Sequence, residues 1–432
     1  MSSSRKRSVV IRRGGSFSGP RKLTRVPQDA AAPVASPDGG TVFYVATSDL
    51  GPEGRDFVGR GATIWAVPAD GSAAPTRLTD PDTDFAEYGG ALLADAAGVL
   101  AVIRRRGAQE LVRVPAAGGR PELLIGGARW VSAVAAAGDT VVAVVGDATN
   151  AGELVVAGRD EPLTDFGAEL TATAGLRPLR ELTTTAPDGH PVHGWLVHPD
   201  PELHPGPRPV LLDVHGGPFA QYGYTLFDEA QVYAAAGYAV VLGNPRGSAG
   251  YGEQHGRAIR HAMGTVDADD LLALLDAALV GDDVDPTRVG VMGGSYGGFM
   301  TTWLAAHAGD RFRAAIVERA VTAWDSFVGS SDIGWIFADE YVGTDPAALA
   351  AQSPLTHAGR ISMPTLIIHS EQDWRCPVEQ AQRLYVALKR QGVPTELLLF
   401  PGEGHELSRS GLPSHRLARF EAILDWWSRH LA

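Results

Sequence analysis

The rhythm of apolar and polar positions changes near residue 178. Beyond it, short and almost unbroken apolar runs alternate with longer stretches whose apolar residues recur at helical spacing. PVLLDV, YAVVLGN, RVGVMGG, FRAAIVE, PTLIIHS and TELLLFP read as strands, and VHGWLVHP ahead of them as a strand with alternating faces. TLFDEAQVYAAAG, DADDLLALLDAALVG, GGFMTTWLAAHAG, VEQAQRLYVALKRQG and LARFEAILDWWSRHL read as helices, several of them closed by a glycine that suits a helix C-terminus. Strands with no polar face must be covered on both sides. Residues 178–432 are therefore expected to form a mostly parallel, doubly wound α/β sheet. In such sheets chemistry collects at the carboxyl ends of the strands.

Residues 1–177 follow another rhythm. FYVAT, TIWAVPADGSAAPTRLTD, ELVRVPAAGGRPELLIGG and ELVVAGRDEPLTDF carry short strand-forming runs, and the last three each add a turn and a second run. The corresponding apolar residues Ile64, Leu111 and Leu154 are 47 and 43 residues apart. A hairpin period near ~45 residues is that of propeller blades, and the segment has room for about four. A β-sandwich with similar hairpins is the alternative reading.

Composition narrows the function classes. The chain has 432 residues, long enough for two domains, and its 44% hydrophobic content supplies a sizeable core. A net charge of −13 argues against a nucleic-acid partner, which needs a basic face. The single cysteine, Cys376, excludes an internal disulfide. No run reaches the length of a membrane span, and the basic start MSSSRKRSVVIRR lacks the apolar core of a secretory signal. That start is expected to be a solvated end, and the cytoplasm is the expected compartment.

Gly293-Gly294-Ser295-Tyr296-Gly297 lies between an apolar strand and an amphipathic helix. A strand-to-helix turn this tight leaves no room for side chains beside the serine. It lifts Oγ above the sheet at a helix start, where backbone N–H groups favour an oxyanion. Among 52 glycines the bare pattern is weak, and its context carries it; a glycine-rich phosphate or turn loop is the alternative. A serine needs a base, and the base an orienting acid. PTLIIHS is followed by Asp373, and TELLLFP by the loop PGEGHE with His405, so the order is Ser, acid, His. Glu371, Glu403 and Glu406 rank below Asp373 as solvated loop charges. The oxyanion donors are expected to be the N–H of Tyr296 and, from the glycine turn after PVLLDV, that of Gly217.

Taken together, DVHGGPFAQ, GNPRGSAGYGEQ, GVMGGSYGGFMTTW, SEQDWRCPVEQAQ and PGEGHE resemble the prolyl oligopeptidase family of serine peptidases, and within it the acylaminoacyl-peptidase branch. The resemblance covers residues 178–432. It implies an α/β-hydrolase catalytic domain preceded by a β-propeller, with Ser295 as nucleophile, Asp373 as orienting acid and His405 as base. It also implies oxyanion donation from Gly217 and Tyr296, with His215 holding the HGGP turn. Arg375, two positions past Asp373, would grip a substrate carbonyl; a structural ion pair is its other reading. The family's propellers are larger than 177 residues allow, so this one is expected to be partial or compact. An incomplete propeller exposes strand edges, which leads us to expect a homo-oligomer.

The function implied is that of a serine hydrolase cleaving short peptides or N-acyl peptides through an acyl-enzyme, with no cofactor and no metal. A carboxylesterase on the same triad and a scaffold with an unused site are the alternatives. A protonated His405 cannot act as base, so the rate should fall on acidification. Phe327, Trp335, Ile336 and Phe337 either line a substrate pocket or pack as core. Cys376, followed by Pro377 at a helix start, is expected to be a small filler rather than a nucleophile.

Overall fold

The computed structural model describes residues 10–11, 21–24, 29–47, 50–86, 92–159 and 161–431. Apart from residues 10 and 11, the basic N-terminal stretch lies outside the described residues. The chain forms two compact units. One comprises Met1–Gly175 with Gly223–Leu226 and Ala249–Arg257; the other comprises Leu176–Tyr222, Phe227–Ser248 and Ala258–Ala432.

The second unit is built on eight strands: β1 (Leu179–Thr185), β2 (Pro191–Val197), β3 (Arg208–Val214), β4 (Ala239–Asn244), β5 (Val284–Gly294), β6 (Ala314–Glu318), β7 (Thr365–Ser370) and β8 (Thr395–Phe400). They lie in the order β1-β2-β4-β3-β5-β6-β7-β8. β1 and β2 are antiparallel to their neighbours, and the other strands run parallel. The apolar runs of the sequence are these strands. β4, β6 and β7 are buried along their whole length, as strands covered on both faces must be.

Five helices do most of the covering: α1 (Asp228–Ala235), α2 (Val266–Ala278), α3 (Tyr296–His307), α4 (Glu379–Arg390) and α5 (Pro413–Leu431). Tyr233 of α1 and Ile423, Trp426 and Trp427 of α5 pack with Leu211, Met292, Ile316 and Ile368 in one core. α3 lies against β3, β5 and β6, so the turn that begins it sits at the centre of the sheet.

The first unit consists largely of antiparallel sheets. One runs from Asp29 to Arg77 in four strands. A second is centred on strands Gly98–Arg105 and Ala108–Pro115, with shorter strands on either side. A third joins Trp130–Ala137, Thr140–Asp147 and Asn150–Val156, and a single bridge between Gln109 and Trp130 links it to the second. Their faces stack. Phe43, Val45 and Ile64 of the first meet Val99, Ala101 and Ile103 of the second. Leu100, Val102 and Leu111 of the second meet Val131, Ala143 and Val155 of the third. Ile64, Leu111 and Leu154 each fall on a long strand of one of the three successive sheets, which is the physical content of the ~45-residue period.

Against the expected room for about four blades, the described residues hold these three blade-like sheets and a two-stranded pair, Val10–Ile11 with Arg21–Lys22. The chain after Val156 makes one bridge, Val155 to Pro162, and then a short helix, Ala168–Thr173, in place of another hairpin. Among the described residues no helix is long and apolar enough to cross a membrane.

Candidate active site

Ser295 stands between the last residue of β5 and the first of α3, with φ 63° and ψ −119°. A side-chain-bearing residue in that region costs about 1–3 kcal/mol and persists only where its surroundings over-determine it. They do so here. A Cβ on Gly297 would lie 1.9 Å from the Val214 carbonyl oxygen, and one on Gly293 2.5 Å from the same atom. The Ser295 N–H donates to the Glu318 carbonyl at 3.1 Å, tying the turn to the end of β6.

The glycine turn after β3 comes up beside it. A Cβ placed on Gly216 would be 3.5 Å from the Ser295 Cβ, and Gly217 has φ 127°, a conformation that suits glycine alone. Among the described residues, neither the Gly217 N–H nor the Tyr296 N–H meets an acceptor. For Tyr296 this is the ordinary condition of a first helical residue.

His215 is buried. Its Nδ1 lies 2.6 Å from the Gly216 carbonyl and its Nε2 3.0 Å from Ser248 Oγ. Because a carbonyl only accepts, Nδ1 carries the proton and donates. Burial pushes the pKa of the ring down to about 4, so it holds the glycine turn as a neutral imidazole.

The acid and the base meet at the ends of β7 and β8. His405 Nδ1 is 2.7 Å from Asp373 Oδ2. The other carboxylate oxygen, Oδ1, accepts the N–H groups of Arg375 at 2.9 Å and Cys376 at 2.8 Å. Asp373 is buried, and its bond fixes the proton on Nδ1, leaving Nε2 with its lone pair. Two of the three competing carboxylates are engaged elsewhere, and Glu371 is exposed. Glu403 accepts from Leu412 N–H and pairs with His415, and Glu406 pairs with Arg409. Ser295 and the acid loop are neighbours, the Ser295 side chain lying near the Cys376 thiol. No direct hydrogen bond joins Ser295 Oγ to His405, a contact often long until substrate binds.

With this geometry in view, the relatives are informative. Residues 224–432 match the model of the prolyl oligopeptidase family. An uncharacterized peptidase YuxL of Bacillus subtilis (strain 168) is 44% identical over 256 residues, 58% of this chain and 39% of that protein. An acylamino-acid-releasing enzyme of Arabidopsis thaliana is 31% identical over 233 residues, 51% of this chain and 30% of that enzyme. The solved structure of Pyrococcus horikoshii acylaminoacyl peptidase superposes with a TM-score of 0.85 at 27% identity, over 96% of this chain and 66% of that one.

Residues 224–432, just under half of the chain, are thus similar to the prolyl oligopeptidase family.

The chain spans less than half the length of the curated relatives it matches. The fold is that of its structural neighbours, an all-β part followed by an α/β-hydrolase domain.

The remaining predicted residues divide. Arg375 pairs with Asp332, Nε to Oδ1 at 2.7 Å and Nη2 to Oδ2 at 3.2 Å. The ion-pair reading is thus realised, and the pair remains at the surface. Phe327 is 1% exposed and packs edge-on against Trp324 and Phe337, a core position. Phe337 in turn stacks on Tyr341, Ile336 is half-buried beside it, and Trp335 points outward at 52% exposure. Phe327 and Phe337 belong to an aromatic cluster where helices 324–330 and 334–341 pack on each other. Cys376 is buried against Ser295 with its thiol pKa pushed up by burial and the Asp373 charge, so it stays a neutral thiol.

Three partners escaped the sequence reading. Asp267 accepts the Tyr296 hydroxyl at 2.8 Å, and burial pushes its pKa up to about 6. His369 Nε2 donates to the Cys376 carbonyl at 2.7 Å and so ties down the loop that carries Asp373. Arg319 packs beneath Gly294. Only His369 carried a signal in sequence, its place at the end of the PTLIIHS run. Among the described residues no cluster of His, Cys, Asp or Glu is arranged to hold a metal ion.

Proposed function

We propose that this protein is a serine peptidase acting on short peptides or N-acyl peptides. The carrying observation is the 2.7 Å contact of His405 Nδ1 with the buried carboxylate of Asp373, on a loop that also brings Cys376 against Ser295. Ser295 Oγ attacks the scissile carbonyl while His405 Nε2 takes its proton. The free N–H groups of Gly217 and Tyr296 receive the oxyanion. The C–N bond breaks, the amine leaves with the proton from His405, and water repeats the attack on the acyl-enzyme. Asp373 holds the tautomer and stabilises the imidazolium. Arg375, already oriented by Asp332, has its Nη1 left to grip a substrate carbonyl. The peptide substrate is supported by the acylamino-acid-releasing and acylaminoacyl-peptidase relatives, one of which was solved with Z-Gly-Gly-Phe-chloromethyl ketone.

A fluorophosphonate probe tests the nucleophile. The native chain should take the label, and Ser295→Ala should lose it together with turnover, by about 10⁴-fold or more. A native chain that takes no label would point to the scaffold reading. The substrate class is then read from kcat/KM on N-acyl amino-acid amides against short acyl esters, and an ester preference would replace the peptidase with a carboxylesterase.

A further inference from the structure

Arg319 has no part in the chemistry just described, yet it touches the turn on which that chemistry depends. It follows β6 with φ 35°, unusual for a residue with a side chain. Its N–H donates to the Ile368 carbonyl at 2.9 Å. The turn sends the side chain back under β5, where a Cβ on Gly294 would lie 2.7 Å from Cζ and 2.8 Å from Nη2. The guanidinium is thus a floor under the residue that precedes Ser295, and Nε is buried without an acceptor.

The interior holds that cation in place. Glu229 and Glu318 are both buried and both bound by Arg419, at 2.6 Å to each. One guanidinium against two carboxylates leaves an excess negative charge. Arg319 supplies the second cation from 3.9 Å, too far for a tight pair. It is drawn toward the glutamates without being locked to them, and its flat face stays against Gly294. Burial alone would raise the Glu229 pKa, but Arg419 and then Arg319 hold it below the usual value.

We propose that Arg319 is a positioning residue. Its guanidinium backs Gly294, keeps the strained Ser295 turn in register, and so aims Ser295 Oγ and the Tyr296 N–H. The inference rests on Ser295 being the nucleophile. Misplacing a reacting atom by about an ångström can cost about 100-fold in rate. For Arg319→Met we therefore expect kcat and the fluorophosphonate labelling rate to fall together by about 10- to 100-fold, with KM within about twofold. Arg319→Lys, which keeps the charge near the glutamates but lacks the flat face, should fall by less. A purely structural role would lower the Tm and leave the labelling rate of the folded fraction unchanged.

Wild-type labelling together with unchanged kcat and labelling in Arg319→Met overturns the inference. If Arg319→Met does not fold, an unchanged labelling rate in Arg319→Lys overturns it equally. A wild-type chain that takes no label removes Ser295 as nucleophile, and this inference falls with it.

Discussion

The two units bury their strands differently, and their charges follow. In the α/β unit β4, β6 and β7 are covered on both faces, and carboxylates are carried inside at the strand ends: Asp213, Glu318 and Asp373. In the β unit the strand Trp130–Ala137 packs Val131 inward while Ser132, Ala133 and Ala135–Ala137 are exposed. Ion pairs such as Arg113 with Asp95 and Glu122 lie where water reaches them. A charge held in the α/β interior must be neutralised, hydrogen-bonded or protonated, because water cannot do the work. Asp213 illustrates the last case: burial, then the Glu229 charge, raise its pKa well above the usual carboxylate range. The unit that supplies the candidate chemistry thus carries a cluster of mutually dependent buried charges, Glu229, Glu318 and Arg419.

The strongest way to break that comparison is to remove Arg419. Arg419→Met keeps the length of the side chain but leaves Glu318 and Glu229 buried with only the distant Arg319 as cation. Breaking a buried pair from one side costs about 3–5 kcal/mol. Urea unfolding should show a loss of that size, and a loss below about 1 kcal/mol would mean the cluster behaves as a surface pair. Replacing Glu318 and Glu229 by Gln in the same variant should recover much of the loss, since the stranded charges are then gone.

How much of this was legible follows the same division. Runs such as PTLIIHS and TELLLFP have no polar face, so their positions in the sheet could be read directly, and with them the loops that carry Asp373 and His405. Gly293, Gly294 and Gly297 could be read as a crowded turn. What they are crowded by could not, because Arg319 reaches Gly294 only through a backbone turn at φ 35° that no pattern encodes. The Arg375–Asp332 pair joins residues from separate loops, and its geometry belongs to the packing of helices 324–330 and 334–341. In the β unit the period of the hairpins was legible. After Val156 the chain keeps strand-like composition while making only one bridge.

Asp267 gives a test of intermediate size. It lies wholly inside, accepting the N–H groups of Gly264 and Ala268 and the Tyr296 hydroxyl, and its folded pKa is pushed up from 3.8 to about 6. The folded state therefore holds the proton more tightly than the unfolded chain. The stabilisation from that proton is full below pH ~4, is lost as pH rises towards ~6, and is absent above; its size is about 3 kcal/mol. Asp267→Asn removes the titration. The stability difference between variant and wild type should therefore shift by about 2 kcal/mol in favour of the variant between pH 4 and pH 6.5. A difference that stays constant over that window would show that Asp267 is solvated as a surface carboxylate is.

The smallest expected effect belongs to the β unit and sets the other end of the scale. Arg113 faces Glu122 across the strands and reaches Asp95 as well, at 3.1 and 2.9 Å, but all three side chains remain partly open to water. Water already stabilises each charge, and dissolved ions screen the attraction within about 10 Å at 0.1 M salt. Arg113→Gln should cost no more than about 1 kcal/mol, and less when salt is raised to 1 M. The Arg419→Met loss, shielded from solvent, should hardly respond to the same salt. If the two variants lose similar stability, or if salt weakens both alike, the distinction between a charge-dependent interior and a charge-tolerant rim does not hold for this protein.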